Sequence, residues 1–292
     1  MLQRDSQRWS DWLMQVGALP GAPQYRDRCA QIMNAAALRA GDTVVDVGAG
    51  LGLLTFELAR RVRPAGRVIA IEPAADCREQ LVATARSLDL SSTVEVRDGL
   101  AEALPLEDHA WDLVVGRSVL LYVRDRRQAL REFGRVLKPG GRLVCSEPIN
   151  LYTFRTGRLH QWFDLTELGE AAKAVREVEQ HYYGLDDPAS NFTEQDLLED
   201  AAQGGFTTLR LVLERFLELR YMSLASVKGL LGWDQPLTAV HPTLRQALSE
   251  HLSDDQIAAL LDVVERQLRG KTFRVEGAVA LLTGYAGSLD AS

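Results

Sequence analysis

The chain has 292 residues, 46% hydrophobic and 25% charged, with a formal net charge of −7 and an isoelectric point near 5.4. It is long enough to bury a substantial core, and its acidic balance gives no electrostatic drive toward nucleic acid or anionic membrane. Cys29, Cys77 and Cys145 are too far apart for a CxxC pair or a disulfide framework, the polar N-terminus lacks a signal-peptide core, and no run approaches a membrane span. A cytoplasmic protein with no metal site is expected.

Residues 1–40 read as an N-terminal helical segment or lid, two helices joined at Gly17 to Pro23. From residue 43 onward, short apolar runs alternate with amphipathic stretches. Thr43 to Val47, Arg67 to Ile71, Thr93 to Val96, Asp112 to Val115 and Arg142 to Cys145 are β-branched, bounded by Gly, Pro or Asp, and predict buried strands. Helices are predicted between them at roughly 53–63, 75–88 and 125–137, the last stopped by Lys138-Pro139-Gly140-Gly141. Strands alternating with helices imply a parallel sheet with right-handed crossovers.

The pattern changes after Pro148. An aromatic stretch with Tyr152, Phe154, Trp162, Phe163, Tyr182 and Tyr183 runs to Asn191, and Thr193 then caps a helix with Asp196 three residues on. Thr208 to Leu213 and Ala278 to Thr283 predict a sixth and a seventh strand, with mainly helical sequence between them, notably 242–251 and 253–269. The expected architecture is α/β: a Rossmann-like, seven-stranded, mostly parallel sheet with helices on both faces. A single domain over 41–292 is expected to carry insertions at about 148–192 and 216–274, which with residues 1–40 would surround the ligand-binding end of the sheet.

Val44-Val45-Asp46-Val47-Gly48-Ala49-Gly50-Leu51-Gly52 is the most informative segment. A buried strand enters a turn with glycine at alternate positions, so that a ligand can lie against bare main chain. A dinucleotide fingerprint would put its third glycine at position 53, where this chain has Leu53. Asp46 is a poor neighbour for pyrophosphate and a good one for a ligand with an ammonium, a sulfonium and no phosphate. That favours S-adenosylmethionine (SAM) over a nicotinamide dinucleotide. Glu72, before Pro73 and 20 residues beyond Gly52, stands where a carboxylate accepts both ribose hydroxyls of an adenosine.

With these residues the chain resembles the class I SAM-dependent methyltransferases, small-molecule type. Asp98-Gly99-Leu100-Ala101 resembles the segment that cups the adenine, Gly116-Arg117-Ser118 the loop beside the methionine portion, and Arg135 to Gly141 the turn before the fifth strand. The likeness is close over 41–147. It implies that Asp46, Gly48, Ala49, Gly50, Gly52, Glu72, Pro73, Asp98, Leu100, Ala101, Gly116, Arg117 and Ser118 bind cofactor, with Tyr25 reaching its carboxylate. One departure is Leu100, where many relatives carry an acid for the adenine amino group.

The resemblance implies in-line methyl transfer to an O, N or C atom of a small organic acceptor, plausibly of specialised metabolism. His160 and His181 are the candidate bases, with Tyr152, Tyr182 and Tyr183 as orienters. His109 is expected in a loop before the fourth strand. Gly116-Arg117-Ser118-Val119 lacks the Asn/Asp-Pro-Pro-aromatic signature of adenine or glutamine methylation, and Leu120 to Val123 lacks the paired glutamates of arginine methylation. The alternative is a SAM-binding protein that does not methylate, either a regulatory module or a cyclase or decarboxylase on the same fold. The addition at 216–274 would serve as a lid or as the face of a homodimer.

Overall fold

The computed structural model describes residues 7–155, 157–184, 190–237 and 242–287. In chain order the elements are α1 (Gln7–Gln15), α2 (Arg26–Ala36), β1 (Thr43–Val47), α3 (Thr55–Val62), β2 (Arg67–Ile71), α4 (Ala75–Ser87), β3 (Val94–Arg97), β4 (Trp111–Arg117), α5 (Arg126–Val136) and β5 (Leu137–Pro148). There follow α6 (Asn150–Phe154), α7 (Leu159–Trp162), α8 (Glu170–Tyr182), α9 (Glu194–Gln203), β6 (Phe206–Tyr221), α10 (Leu224–Leu230), α11 (Leu244–Ser249), α12 (Asp254–Leu268) and β7 (Thr272–Ala286).

The seven strands form one sheet in the order β3-β2-β1-β4-β5-β7-β6. β1 pairs parallel with β2 and β4, and β5 continues parallel beside β4. β7 runs antiparallel to β5, from Arg142 opposite Tyr285 to Pro148 opposite Val279. The central strands are covered on both faces, which is why Val44 to Val47 and Val68 to Ile71 are almost wholly buried and do not alternate. Flanking helices show the complementary pattern. In α3, Phe56, Leu58, Ala59 and Val62 are buried, while Glu57 pairs with Arg61 at 2.8 Å on the outer face.

Two compact units divide the chain. The first, Met1–Pro148 with Thr193–Leu213 and Val279–Ser292, contains β1 to β5 and their helices. Within it, α9 packs on α5, where a Cβ at Gly204 would lie 3.0 Å from the backbone of Leu130, and buried Asp200 takes Arg127 at 2.7 Å and Arg126 at 3.3 Å. Thr193 does cap α9, in a reciprocal capping box with Asp196.

The second unit is Ile149–Phe192 with Glu214–Ala278. It has its own apolar core, in which Val175, Trp233, Leu244, Leu260 and Phe273 are buried together. Trp162 and Phe163 stack on Phe273 at 5.8 and 5.4 Å. The segments read as two separate insertions thus share one core. That pairing is long-range, and periodicity does not reveal it.

Three strands are longer than their sequence signal. β5 begins at Leu137, but Gly140 takes φ +74 and the register against β4 jumps from Trp111 opposite Leu137 to Leu113 opposite Arg142, so Lys138 to Gly141 bulge out of the strand where the turn was expected. β6 and β7 run well past the expected 208–213 and 278–283. Phe216, Leu217, Leu219 and Tyr221 in β6 are exposed, so no burial alternation marks this stretch as a strand.

Candidate functional site

The turn after β1 forms because Gly48 and Ala49 both donate their N–H to the Ile71 carbonyl at the end of β2, at 2.8 and 3.2 Å. The glycines within it do different work. A Cβ at Gly48 would come within 2.7 Å of Val119 Cγ2, and one at Gly52 within 2.2 Å of Phe56 Cε2. Both are packing requirements. Gly50 (φ +55) differs, since a Cβ there would meet nothing within 4 Å except Leu13 Cδ1 at 3.2 Å. Gly50 is therefore the bare floor of the crevice, in a left-handed conformation that side chains resist.

Glu72 sits beside this floor, almost fully buried. Its Oε2 accepts from Gly50 N at 2.8 Å and its Oε1 from Ala74 N at 2.9 Å. The acid therefore holds the loop as well as standing where ribose hydroxyls were expected. Asp46 is buried, and its Oδ2 accepts from Thr55 Oγ1 at 2.6 Å at the start of α3. Burial, with Glu72 close by, pushes its pKa up to about 7. Two buried acids thus stand together behind one small loop.

The remaining predicted residues lie around this core at the carboxyl ends of the strands. Ala49 is buried, and Pro73 is half-buried next to Glu72. Asp98, after β3, is exposed, pairs with Arg78 at 3.1 Å, and helps line a surface groove of about 510 Å³ along α4. Leu100 is 51% exposed, with the buried Ala101 beside it. Gly116 and Arg117 close β4, and Ser118 takes a left-handed φ of +53 on the following loop. Such strain in a non-glycine residue occurs where surroundings impose it. The Arg117 guanidinium lies 4.3 Å from the centre of the Tyr25 ring. Tyr25 and the end of β4 are therefore neighbours.

His160 and His181 both belong to the second unit. His160 Nδ1 is 2.6 Å from Oε2 of the fully buried Glu179, which also accepts the N–H groups of Leu159 and His160. His181 is exposed in the last turn of α8. Tyr182 and Tyr183 donate their hydroxyls to the carbonyls of Pro242 and Leu231, and Tyr152 lies under Arg215 at 4.4 Å. His109 lies before β4 as expected, with Nδ1 3.0 Å from the Leu137 carbonyl. Among the described residues no helix is long and apolar enough to cross a membrane, and no His, Cys, Asp or Glu cluster is placed to hold a metal.

Glu147 is not among the site residues expected from the sequence. At the end of β5 it is fully buried; Oε1 accepts from Val119 N at 3.0 Å, and Oε2 has no partner among the described residues. Its only sequence signal is an acid closing an apolar strand. Burial raises its pKa to about 7, against the opposing effects of the backbone N–H groups of Val119, Leu120 and Leu121 and of Arg117. The folded value is above the unfolded one, so its stability contribution is complete below about pH 4 and lost as pH rises through about 7. Glu147→Gln should accordingly melt a few degrees higher than the parent chain at pH 8 and show a smaller loss between pH 5 and pH 8, measured by thermal unfolding. Equal pH dependence in the two chains would contradict this.

Comparison with known proteins bears on the family and the fold. Residues 45–145 match the methyltransferase domain family. A ubiquinone/menaquinone biosynthesis C-methyltransferase, UbiE, of Hahella chejuensis is 39% identical over 114 residues, 38% of this chain and 44% of that protein. A 37.1 kDa protein of transposon Tn4556 from Streptomyces fradiae is 39% identical over 137 residues, 47% of this chain and 38% of that one. The chain thus spans less than half the length of these two curated relatives. The YcgJ protein of a Bacillus has the same fold, with TM-score 0.57 and 18% identity over 90% of this chain and 99% of its own. The sheet, with its reversed β7, is that of a Rossmann-like methyltransferase. Residues 45–145 thus match a methyltransferase domain, the class to which the class I SAM-dependent resemblance in the sequence pointed.

Proposed function

We propose that this protein binds SAM in the crevice floored by Gly50 and transfers its methyl group to a small organic acceptor. The observation that carries the reading is the pairing of a side-chain-free floor at Gly50 with two buried acids, Asp46 and Glu72, directly behind it. When bound, the cofactor supplies a methyl group already activated by a sulfonium. Everything else falls to the chain's own residues. Gly48 to Gly52 would offer main chain to the methionine portion, Glu72 its carboxylate to the ribose, and Leu100, Ala101, Pro73 and Asp98 the surroundings of the adenine. Arg117, held on Tyr25, supplies the positive charge for a carboxylate.

The acceptor class is supported by the missing signatures of nucleic-acid and protein methylation in the sequence. The likeness to a C-methyltransferase supports including carbon among the acceptor atoms. Where the acceptor atom carries a proton, His160 is the base this reading offers, because Glu179 at Nδ1 fixes its ring and leaves Nε2 for chemistry. His181 stands exposed on α8.

Calorimetry in buffers of different ionisation enthalpy tests the cofactor reading. A cation near Asp46 draws its pKa back down from about 7, so SAM binding at pH 7 should release about half a proton. Affinity should then rise between pH 6 and pH 8. S-adenosylhomocysteine, without the sulfonium, should release less. Binding of NADH but of neither adenosyl compound would overturn the reading. Release of S-adenosylhomocysteine from labelled SAM across an acceptor panel then separates methyl transfer from cofactor binding without transfer.

A further inference from the structure

The sheet ends on two edge strands of opposite character. β3, at one end, has four residues, and its exposed Glu95 and Arg97 pair at 2.6 Å. A short, charged edge resists pairing with another strand. β6, at the other end, runs for 16 residues. Its last stretch, Glu214 to Tyr221, contains no lysine and no proline, and its two acids are balanced by two arginines. Nothing in that stretch discourages a further strand.

Successive side chains of a strand point to opposite faces. Phe216, Glu218 and Arg220 share one face. Phe216 lies across Gly277 of β7, where an added Cβ would run into its ring, and Arg220 Nη2 pairs with Glu218 of the same strand. The Nε of Arg220 is buried with no partner among the described residues. On the other face stand Leu217, Leu219 and Tyr221, which are 52, 69 and 76% exposed. Three large apolar side chains in one exposed row mark a contact surface more than scattered surface residues do.

The residue pattern shows what fits this edge. In a two-fold antiparallel pair of identical strands, opposed residues point to the same face and one residue lies opposite its own copy. Centring the pair on Glu214, Arg215, Phe216, Glu218 or Arg220 sets like charges directly against each other, which is unfavourable. Centring it on Leu217 or Tyr221 sets an arginine against an apolar side chain, Leu219 or Met222. Leu219 is the one centre that matches every pair. Leu219 then meets Leu219 of the second copy, Leu217 meets Tyr221, and Glu218 meets Arg220, the last two twice by symmetry.

We propose that two copies of this chain join edge to edge, their β6 strands pairing antiparallel about Leu219. One strand pair is a small interface, so the dissociation constant should be on the order of 10 μM.

Sedimentation velocity on the full chain, from about 1 to about 200 μM, tests this. The parent should pass from monomer to dimer across that range. Leu219→Lys sets lysine against lysine on the two-fold axis and should stay monomeric throughout, with its thermal unfolding unchanged because the site is exposed. Arg220→Glu should also stay monomeric, and adding Glu218→Arg to it should restore the dimer. Leu219→Cys should form a disulfide-linked dimer under mild oxidation, since opposed Cα atoms in such a pair lie about 4.5–5.5 Å apart. Leu217→Cys, facing Tyr221, should not. A parent that is monomeric at every concentration would overturn the proposal and leave the edge to an extended segment of another protein. A dimer that survives in Leu219→Lys, or a cross-link through position 217 and none through 219, would overturn it as well.

Discussion

Gly50→Val should abolish binding of S-adenosylhomocysteine, by at least about a hundredfold, while the chain remains folded. The added atoms occupy the only open direction above the loop, where Leu13 Cδ1 already stands 3.2 Å from an ideal Cβ. A β-branched residue at φ +55 also carries a backbone cost of about 1–3 kcal/mol, so thermal unfolding should fall by several degrees but remain cooperative. Gly50→Ala carries less bulk and should give a partial loss. Calorimetry on the three chains, with unfolding curves alongside, decides the matter. Affinity within about threefold of the parent in Gly50→Val would remove the crevice from consideration.

Glu72→Ala should weaken cofactor binding by about 1–3 kcal/mol, roughly 5- to 150-fold. Two effects combine in that loss, because the carboxylate accepts from both Gly50 N and Ala74 N and would also meet the ribose. Alanine leaves two backbone donors unpaired and slackens the loop. A double-mutant cycle with a 2′-deoxy analogue of S-adenosylhomocysteine separates the effects. If Glu72 touches the ribose, the analogue should lose little further affinity in the variant. Fully additive losses would mean that Glu72 serves only to hold the loop.

Much of the first unit was legible in the residues. β1 and β2 have the bounds their β-branched runs predict, and α3, α4 and α5 end within two residues of the amphipathic stretches. These strands are buried on both faces, so composition alone marks them. The extent of β6 was hidden for the opposite reason, since its outer half is exposed and shows no alternation. Glu72 was legible as an acid at a strand end, but its two backbone N–H partners were not, because one lies 22 positions earlier. Asp46 was read as facing a ligand. The structure turns its side chain toward Thr55, so its charge acts from behind the loop.

The sequence by itself determined the order of strands and helices, the glycine turn after the first strand and the acid after the second. Local backbone preference and burial dictate these, and both act over a few residues. Only the tertiary structure decided which glycine is floor and which are packing, that residues 149–192 and 214–278 share one core, and that the first helix brings Leu13 to Gly50. Each of these depends on side chains far apart in the chain meeting in space, and chain spacing does not encode those distances.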